Sequence, residues 1–447
     1  MKKLFGTDGI RATAGKFPLD RETVIRIGKA IARYFGRDID RKPRFVIGRD
    51  TRESGAWIEM AFAAGAASEG AVCESAGVIT TPGVAYLTGA EKFDAGIVIS
   101  ASHNPYQDNG VKVFLPSGKK LDGKAEREIE KMIFGMSETA VEEIGVDSSN
   151  ATDLCEKYLN HLMANFNGLD ISGTKIVVDC ANGAASGLAP ELFSRLGAHV
   201  TAINNSPDGT NINKNCGSLH LENLQREVIA GGADLGVAFD GDADRSLFVD
   251  EKGGVVDGDA TMWIMAQHLQ DTGRLVQPLI VATVMSNIGL EVALRTRSIE
   301  LLRTDVGDKY VLGALLETGA AVGGEQSGHI IFPQNGLVGD GLQTALSLLE
   351  TQIRSGRSLS ALRAGFDQFP QILVNVMVGE KRPFDEVAEI IEKVREVEAS
   401  LGDTGRLLLR YSGTENLARV MIEGKDQIQI ERLANDLADV IKTSLGG

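Results

Sequence analysis

The chain has 447 residues, 43% hydrophobic and 24% charged. It is long enough for several cores and ordinary in composition, which excludes collagen-like, disordered and disulfide-dense classes. Its 61 acidic and 46 basic side chains leave a net charge of -15, which repels phosphate backbones and anionic lipid. With no long Lys/Arg run, no nucleic-acid or membrane partner is expected.

Met1-Lys2-Lys3-Leu4-Phe5-Gly6-Thr7-Asp8 turns polar at once and lacks the apolar stretch of a secretory signal. No apolar run reaches the ~18 residues that a bilayer span needs, so a cytoplasmic location is expected. Segment 23–35 places Val24, Ile27, Ile31 and Tyr34 on one helical face. Short apolar runs follow at 44–48, 96–99, 175–178, 235–239 and 279–282, bounded by glycine and polar residues. Strands buried on both faces read this way, and helical segments between them predict α/β layers with largely parallel pairing. Cys73, Cys155, Cys180 and Cys216 form no C-x-x-C pair. They are expected as small buried apolar residues in a reducing compartment. Trp57 and Trp263 fall in helical segments as packing residues, and His161, His199, His220 and His268 show no partner pattern.

A loose repeat organises the chain. Three strand-turn openings, Val46-Ile47-Gly48-Arg49-Asp50, Val177 to Gly183 and Val281 to Asn287, are each followed by a strand ending in a polar signature. The expected fold class is three similar α/β domains with mixed, largely parallel sheets, at 1–152, 153–253 and 254–365. Ligands of open α/β sheets bind beyond the carboxyl ends of strands, so one cleft can collect the signatures. The segment 366–447 reads as a smaller domain with helices near 384–400 and 429–443.

Four constellations carry chemistry. Asp240-Gly241-Asp242-Ala243-Asp244-Arg245 sets carboxylates at i, i+2 and i+4, a pattern for a hard cation such as Mg²⁺. Arg245 stands where an EF-hand loop needs glycine, and the flanks read as strands, so that motif is rejected. A solvated acidic turn is the plain alternative, but three carboxylates this close repel one another unless a cation neutralises them. Ser100-Ala101-Ser102-His103-Asn104-Pro105 follows an apolar strand. Its Ser102 is a candidate nucleophile without the flanks of a hydrolase elbow, although serine beside histidine also arises by chance. A serine that carries a phosphoryl group pairs naturally with a metal loop, and Lys112 lies a few residues on. Alone, Lys112 reads as a solvated surface side chain. Gly324-Glu325-Gln326-Ser327-Gly328-His329 suits hydrogen bonding to sugar hydroxyls, or is a polar turn. Arg410-Tyr411-Ser412-Gly413-Thr414-Glu415-Asn416, with Arg419, suits a phosphate, or is a loop with an ion pair.

In this order, and with Phe5-Gly6-Thr7-Asp8-Gly9-Ile10-Arg11 ahead of them, these segments resemble the α-D-phosphohexomutase superfamily over essentially the whole chain. Within it, the length, the Gly324 to His329 segment and Arg303 to Tyr310 resemble the members that act on glucosamine phosphate. The resemblance implies a C-terminal domain similar to the TATA-box-binding-protein fold, a central cleft and a catalytic phosphoserine at Ser102. It implies Mg²⁺ held by Asp240, Asp242, Asp244 and a phosphoryl oxygen on Ser102. Arg245 would contact the transferring phosphoryl group. Glu325 and Ser327 would grip sugar hydroxyls. Arg410, Ser412, Gly413, Thr414 and Arg419 would hold the phosphate that does not react. Arg11 and Lys112 would serve the reacting end, with Lys112 ahead of His103 and His329 for proton transfer. The implied reaction interconverts glucosamine 6-phosphate and glucosamine 1-phosphate through a sugar bisphosphate, which is intermediate and activator, and feeds UDP-N-acetylglucosamine synthesis. The partner is thus a small sugar phosphate, and a homodimer is implied by resemblance alone. Sister activities on glucose or mannose phosphates use the same parts. A phosphatase or a non-catalytic sugar-phosphate sensor belongs to other classes. Tyr411, Asn416 and Ala12 depart from residues frequent in the superfamily.

Overall fold

The computed structural model describes residues 4–6, 8–136, 145–412 and 415–446. Thr7, Gly413 and Thr414 of the segments above lie outside the described residues. The chain divides into two compact units, Met1–Val284 with Leu302–Arg363, and Met285–Leu301 with Ala364–Gly447.

The first unit holds the three α/β layers. Its first sheet has five strands in the order Ile10–Thr13, Asp108–Phe114, Ala95–Ile99, Arg44–Arg49, Val72–Val78. The last three pair in parallel and the first two antiparallel. The second sheet repeats this plan with Val255–Val256, Ser246–Asp250, Leu235–Phe239, Lys175–Asp179 and His199–Ile203. The third has four strands, with Leu279–Thr283 parallel to Gly323–Gly324, and Ile330–Ile331 antiparallel to the latter. The pairing is therefore mixed, as expected. All five residues of Ala95–Ile99 and of Leu235–Phe239 are buried, which is why these strands read as unbroken apolar runs. The first amphipathic helix is Arg21–Gly36, capped by the Asp20 side chain, which accepts from the Thr23 N–H.

The second unit is an antiparallel sheet of Gln371–Met377, Leu417–Gly424 and Gly405–Tyr411. Helices Ala388–Leu401 and Gln427–Leu445 complete its core through Ile390, Val397, Leu433, Leu437 and Ile441. The helix expected from 384 begins later, because Pro383 leads into a separate 3-10 turn at Phe384–Glu386. Cys180 and Cys216 are buried, but Cys73 and Cys155 are only partly so, Cys73 because its strand Val72–Val78 forms the edge of its sheet. Trp263 is buried in helix Gly258–Asp271 and Trp57 packs from Gly55–Ser68. No helix of the described residues is long and apolar enough to cross a membrane.

Candidate active site

In each sheet of the first unit one strand ends at a chemistry-bearing turn. Ala95–Ile99 leads to Ser102, Leu235–Phe239 to Asp240, and Gly323–Gly324 to Glu325. The three strands occupy the same place in their sheets, on the inner side of the parallel pair.

Ser102 sits at φ 53°, in the left-handed region. Its Oγ donates to Asp240 Oδ2 at 2.5 Å and lies 3.3 Å from His103 Nδ1. Asp240, Asp242 and Asp244 are buried, with ligand oxygens all within 4.8 Å of one another. Burial, then the neighbouring Asp244 and Asp242, push the Asp240 carboxyl up to about 8. The turn between the antiparallel strands Leu235–Phe239 and Ser246–Asp250 holds the three together. Thr81 anchors it, with its N–H on the Asp242 carbonyl at 3.0 Å and its hydroxyl on Asp242 Oδ2 at 2.5 Å.

Lys112 is buried, not solvated. Its ammonium lies 2.7 Å from Asp242 Oδ2, 3.1 Å from Asp8 and 3.4 Å from Asp244 Oδ2. Burial alone would lower its pKa, but Asp242, Asp8 and Asp244 outweigh that and hold it well above the ordinary lysine value. The lysine engages the Oδ2 atoms. Asp242 Oδ1, without a hydrogen-bond partner among the described residues, and Asp244 Oδ1, met by His329 Nδ1 at 3.7 Å and Arg245 Nε at 3.9 Å, lie beside a third carboxylate, a donor set that fits a divalent cation.

The Glu325 turn is pinned to this hairpin. Glu325 N–H donates to the His329 carbonyl at 3.0 Å, and Ser246 N–H to the Gly328 carbonyl at 3.1 Å. Gly328 is at φ 92°, and a Cβ there would meet the Ser246 carbonyl at 2.3 Å, so only glycine fits. His329 is buried, with Nε2 accepting from the Gly339 N–H at 3.0 Å and Nδ1 3.7 Å from Asp244. Ser327 lies on the same turn.

These elements line a cavity of about 350 Å³ that includes Arg11, His103, Asp244, Arg245, Glu325 and His329. Arg245 Nη1 donates to His103 Nδ1 at 3.1 Å. Arg11 pairs with Asp8 and reaches the Ala101 carbonyl at 3.4 Å. The Nε atoms of Arg11 and Arg245 are buried without a hydrogen-bond partner among the described residues, which suits an anion in the cavity. The first unit therefore brings together Ser102, His103, Lys112, Arg11, the three aspartates, Arg245, Glu325 and His329.

Three functional candidates escaped the sequence reading. Lys120 bridges Asp8 and Asp308 at 2.5 Å each, fastening the N-terminal segment to the Arg303–Tyr310 loop. Asp8 and Asp308 lie inside motifs quoted above. Lys120 has no local signal.

In the second unit Arg410 and Arg419 are direct cross-strand partners, an arrangement of like charges that an anion relieves. Arg419 Nε is buried without a hydrogen-bond partner among the described residues. Ser412 is buried, and its carbonyl accepts from Lys381 at 2.7 Å.

Comparison with known proteins agrees along the chain. Four domain profiles of the phosphoglucomutase/phosphomannomutase family match it. The alpha/beta/alpha domains I, II and III match residues 2–140, 156–254 and 257–369, and the C-terminal domain matches 373–440. A phosphoglucosamine mutase of Solibacter usitatus is 49% identical, covering 100% of this chain and 99% of the relative. One of Caldicellulosiruptor bescii is 48% identical, covering 100% of both. A phosphoglucomutase/phosphomannomutase family protein from Burkholderia thailandensis superposes with a TM-score of 0.80 at 25% identity, over 99% of this chain and 97% of that one. Aspergillus fumigatus N-acetylphosphoglucosamine mutase, solved with GlcNAc-6P and magnesium, shares the fold with a TM-score of 0.67 at 19% identity, over 99% and 96% of the two chains.

Proposed function

The chain belongs to the phosphoglucomutase/phosphomannomutase family, and on that premise we propose that it interconverts glucosamine 6-phosphate and glucosamine 1-phosphate. It is an enzyme of the mutase class with a small sugar phosphate as substrate. The observation that carries the reading is Ser102 Oγ at 2.5 Å from Asp240, inside a buried aspartate triad and beside two arginines with unspent Nε–H groups.

Ser102 carries the phosphoryl group between turnovers. The sugar's free O1 or O6 hydroxyl attacks the phosphorus, the bond to Ser102 Oγ breaks, and the hydroxyl proton is lost as the serine oxygen regains one. The product is a bisphosphorylated sugar. It turns over and returns its other phosphate to Ser102, so the same groups serve both half-reactions. We place proton transfer at His103 in place of Lys112, because the His103 ring lines the cavity with Nδ1 3.3 Å from Ser102 Oγ, and Nδ1 is freed when Arg245 Nη1 moves from it to the phosphoryl oxygens. Lys112 spends its donors on Asp8, Asp242 and Asp244 and supplies fixed positive charge. Arg245 and Arg11 receive the equatorial oxygens of the phosphoryl group. Glu325 and Ser327 orient the sugar hydroxyls, and His329 holds their turn against Asp244. Asp240, Asp242 and Asp244 would hold Mg²⁺, which would supply neutralisation of phosphoryl charge. In the second unit Arg410, Ser412 and Arg419, with Gly413 and Thr414, bind a phosphate. The domains we propose are 1–152, 153–253, 254–365 and 366–447, with Met285–Leu301 of the third packed in the same compact unit as Ala364–Gly447, and the proposed location is the cytoplasm.

The test is kcat/KM for glucosamine, glucose and mannose phosphates with Mg²⁺ and a trace of sugar bisphosphate. A preference for glucosamine phosphate of about tenfold, ~1.4 kcal/mol in transition-state binding, is expected. A preference for glucose or mannose phosphate moves the protein to a sister activity. Ser102→Ala is expected to abolish turnover, and full mutase activity in that variant would refute the mechanism.

A further inference from the structure

Two side chains outside the machinery above converge on the backbone of the serine loop. Asn213 Nδ2 donates to the Ser102 carbonyl at 2.9 Å and to the Asn104 carbonyl at 3.1 Å. Arg52 Nη2 donates to the same two carbonyls at 3.1 Å and 2.6 Å. They arrive from different sheets. Arg52 is fully buried in the turn after strand Arg44–Arg49 and paired with Asp50, whose N–H bonds the Ile99 carbonyl at 3.1 Å. Asn213 comes from the long connection after strand His199–Ile203, is itself left-handed at φ 58°, and is tied by its N–H to the Ala181 carbonyl at 2.9 Å.

Ser102 is left-handed too, at φ 53°, a conformation that a serine keeps only where its surroundings over-determine it. A donor pair on its carbonyl and on the carbonyl two residues later does this. It also grips backbone and not Oγ, so the grip is the same whether or not the hydroxyl is substituted. A loop that must offer the same oxygen in both half-reactions needs such a hold.

We infer that Asn213 and Arg52 are positioning residues for phosphoryl transfer, a clamp from two sheets that keeps Ser102 Oγ on Asp240. The inference rests on the reading of Ser102 as the phosphorylated residue. Asn213 is the one to vary, because it is partly exposed and Asn213→Gly keeps the left-handed backbone while removing both N–H donors. Asn213→Asp keeps the shape and replaces donors by acceptors. The full-length protein and both variants are compared in three readouts. These are kcat and KM on glucosamine 6-phosphate, inorganic phosphate released per turnover, and amide hydrogen exchange of peptide 100–110 without substrate.

The clamp predicts a fall in kcat of about five- to tenfold. KM stays within twofold, phosphate leakage rises, and exchange across the loop is faster. A purely structural asparagine predicts that the glycine variant keeps wild-type kcat, leakage and exchange, and that result overturns the clamp. If the wild type places no phosphoryl group on Ser102, the functional reading fails. The exchange data then still decide whether Asn213 holds the loop.

Discussion

Gly241 separates the serine loop from the aspartate loop by the width of a missing methyl. A Cβ at this position would lie 2.5 Å from the Ser102 carbonyl oxygen, 2.9 Å from Ile212 Cδ1 and 3.0 Å from Asn213 Nδ2. Ordinary contact needs about 3.5 Å, so in Gly241→Ala the two loops part by roughly 1 Å. The hydrogen bond from Ser102 Oγ to Asp240, 2.5 Å in length, then stretches to about 3.5 Å, outside hydrogen-bonding range. Displacement of a reacting group by this much costs on the order of 10²-fold in rate, ~2.7 kcal/mol. Steady-state turnover of glucosamine 6-phosphate with Mg²⁺ is expected to show kcat down by that factor. KM should hold within threefold, because the Glu325 turn is anchored by Ser246 and not by Gly241. The control is Gly187→Ala in helix Ala185–Arg195, where a Cβ meets nothing within 4 Å. It should leave kcat unchanged and add about 0.5–1 kcal/mol of stability. A Gly241→Ala enzyme with kcat within threefold of wild type would refute the reasoning.

Two electrostatic predictions follow from the same geometry. Lys112→Met leaves Asp8, Asp242 and Asp244 without their shared ammonium, so urea unfolding in chelator should show a loss of about 3–5 kcal/mol. Adding Mg²⁺ should recover more stability in this variant than in wild type, and an equal gain in both would count against the aspartates as the cation site. Glu350 is held near pKa 2 by His268, whose Nε2 lies 3.8 Å from Glu350 Oε2, and by Arg274 and Arg354. Its folded pKa lies below the unfolded value, so its stabilisation is present above about pH 4.5 and fades as pH falls toward 2. With Arg274 and Arg354 half exposed, that stabilisation is on the order of 1–2 kcal/mol. The gap in urea unfolding between wild type and Glu350→Gln should therefore be open at pH 7 and close on acidification, and a gap independent of pH is the contrary result.

Much of this architecture is written locally. A run of buried-strand residues such as Leu235–Phe239 declares itself by composition, and the aspartates that follow declare a cation by mutual repulsion. The same holds for the turns at Ser102 and Glu325, because a strand end and the polar residues after it are neighbours in sequence. Distance between remote segments is not written there. Lys112 alone reads as a surface lysine, and only folding surrounds it with carboxylates from positions 8, 242 and 244. Lys120 and Asp308 are 188 residues apart, and no periodicity pairs them. Asn213 reads as one polar loop residue among several until its amide is seen on the Ser102 carbonyl. The segment Met285–Leu301 falls inside the span read as the third domain, yet it packs with Ala364–Gly447, where Asn287 Nδ2 donates to the Phe369 carbonyl at 3.0 Å. Hydrophobic periodicity tells which face of an element is buried. Which partner buries it, and which distant charges meet in the resulting low-dielectric space, is settled by packing of the whole chain.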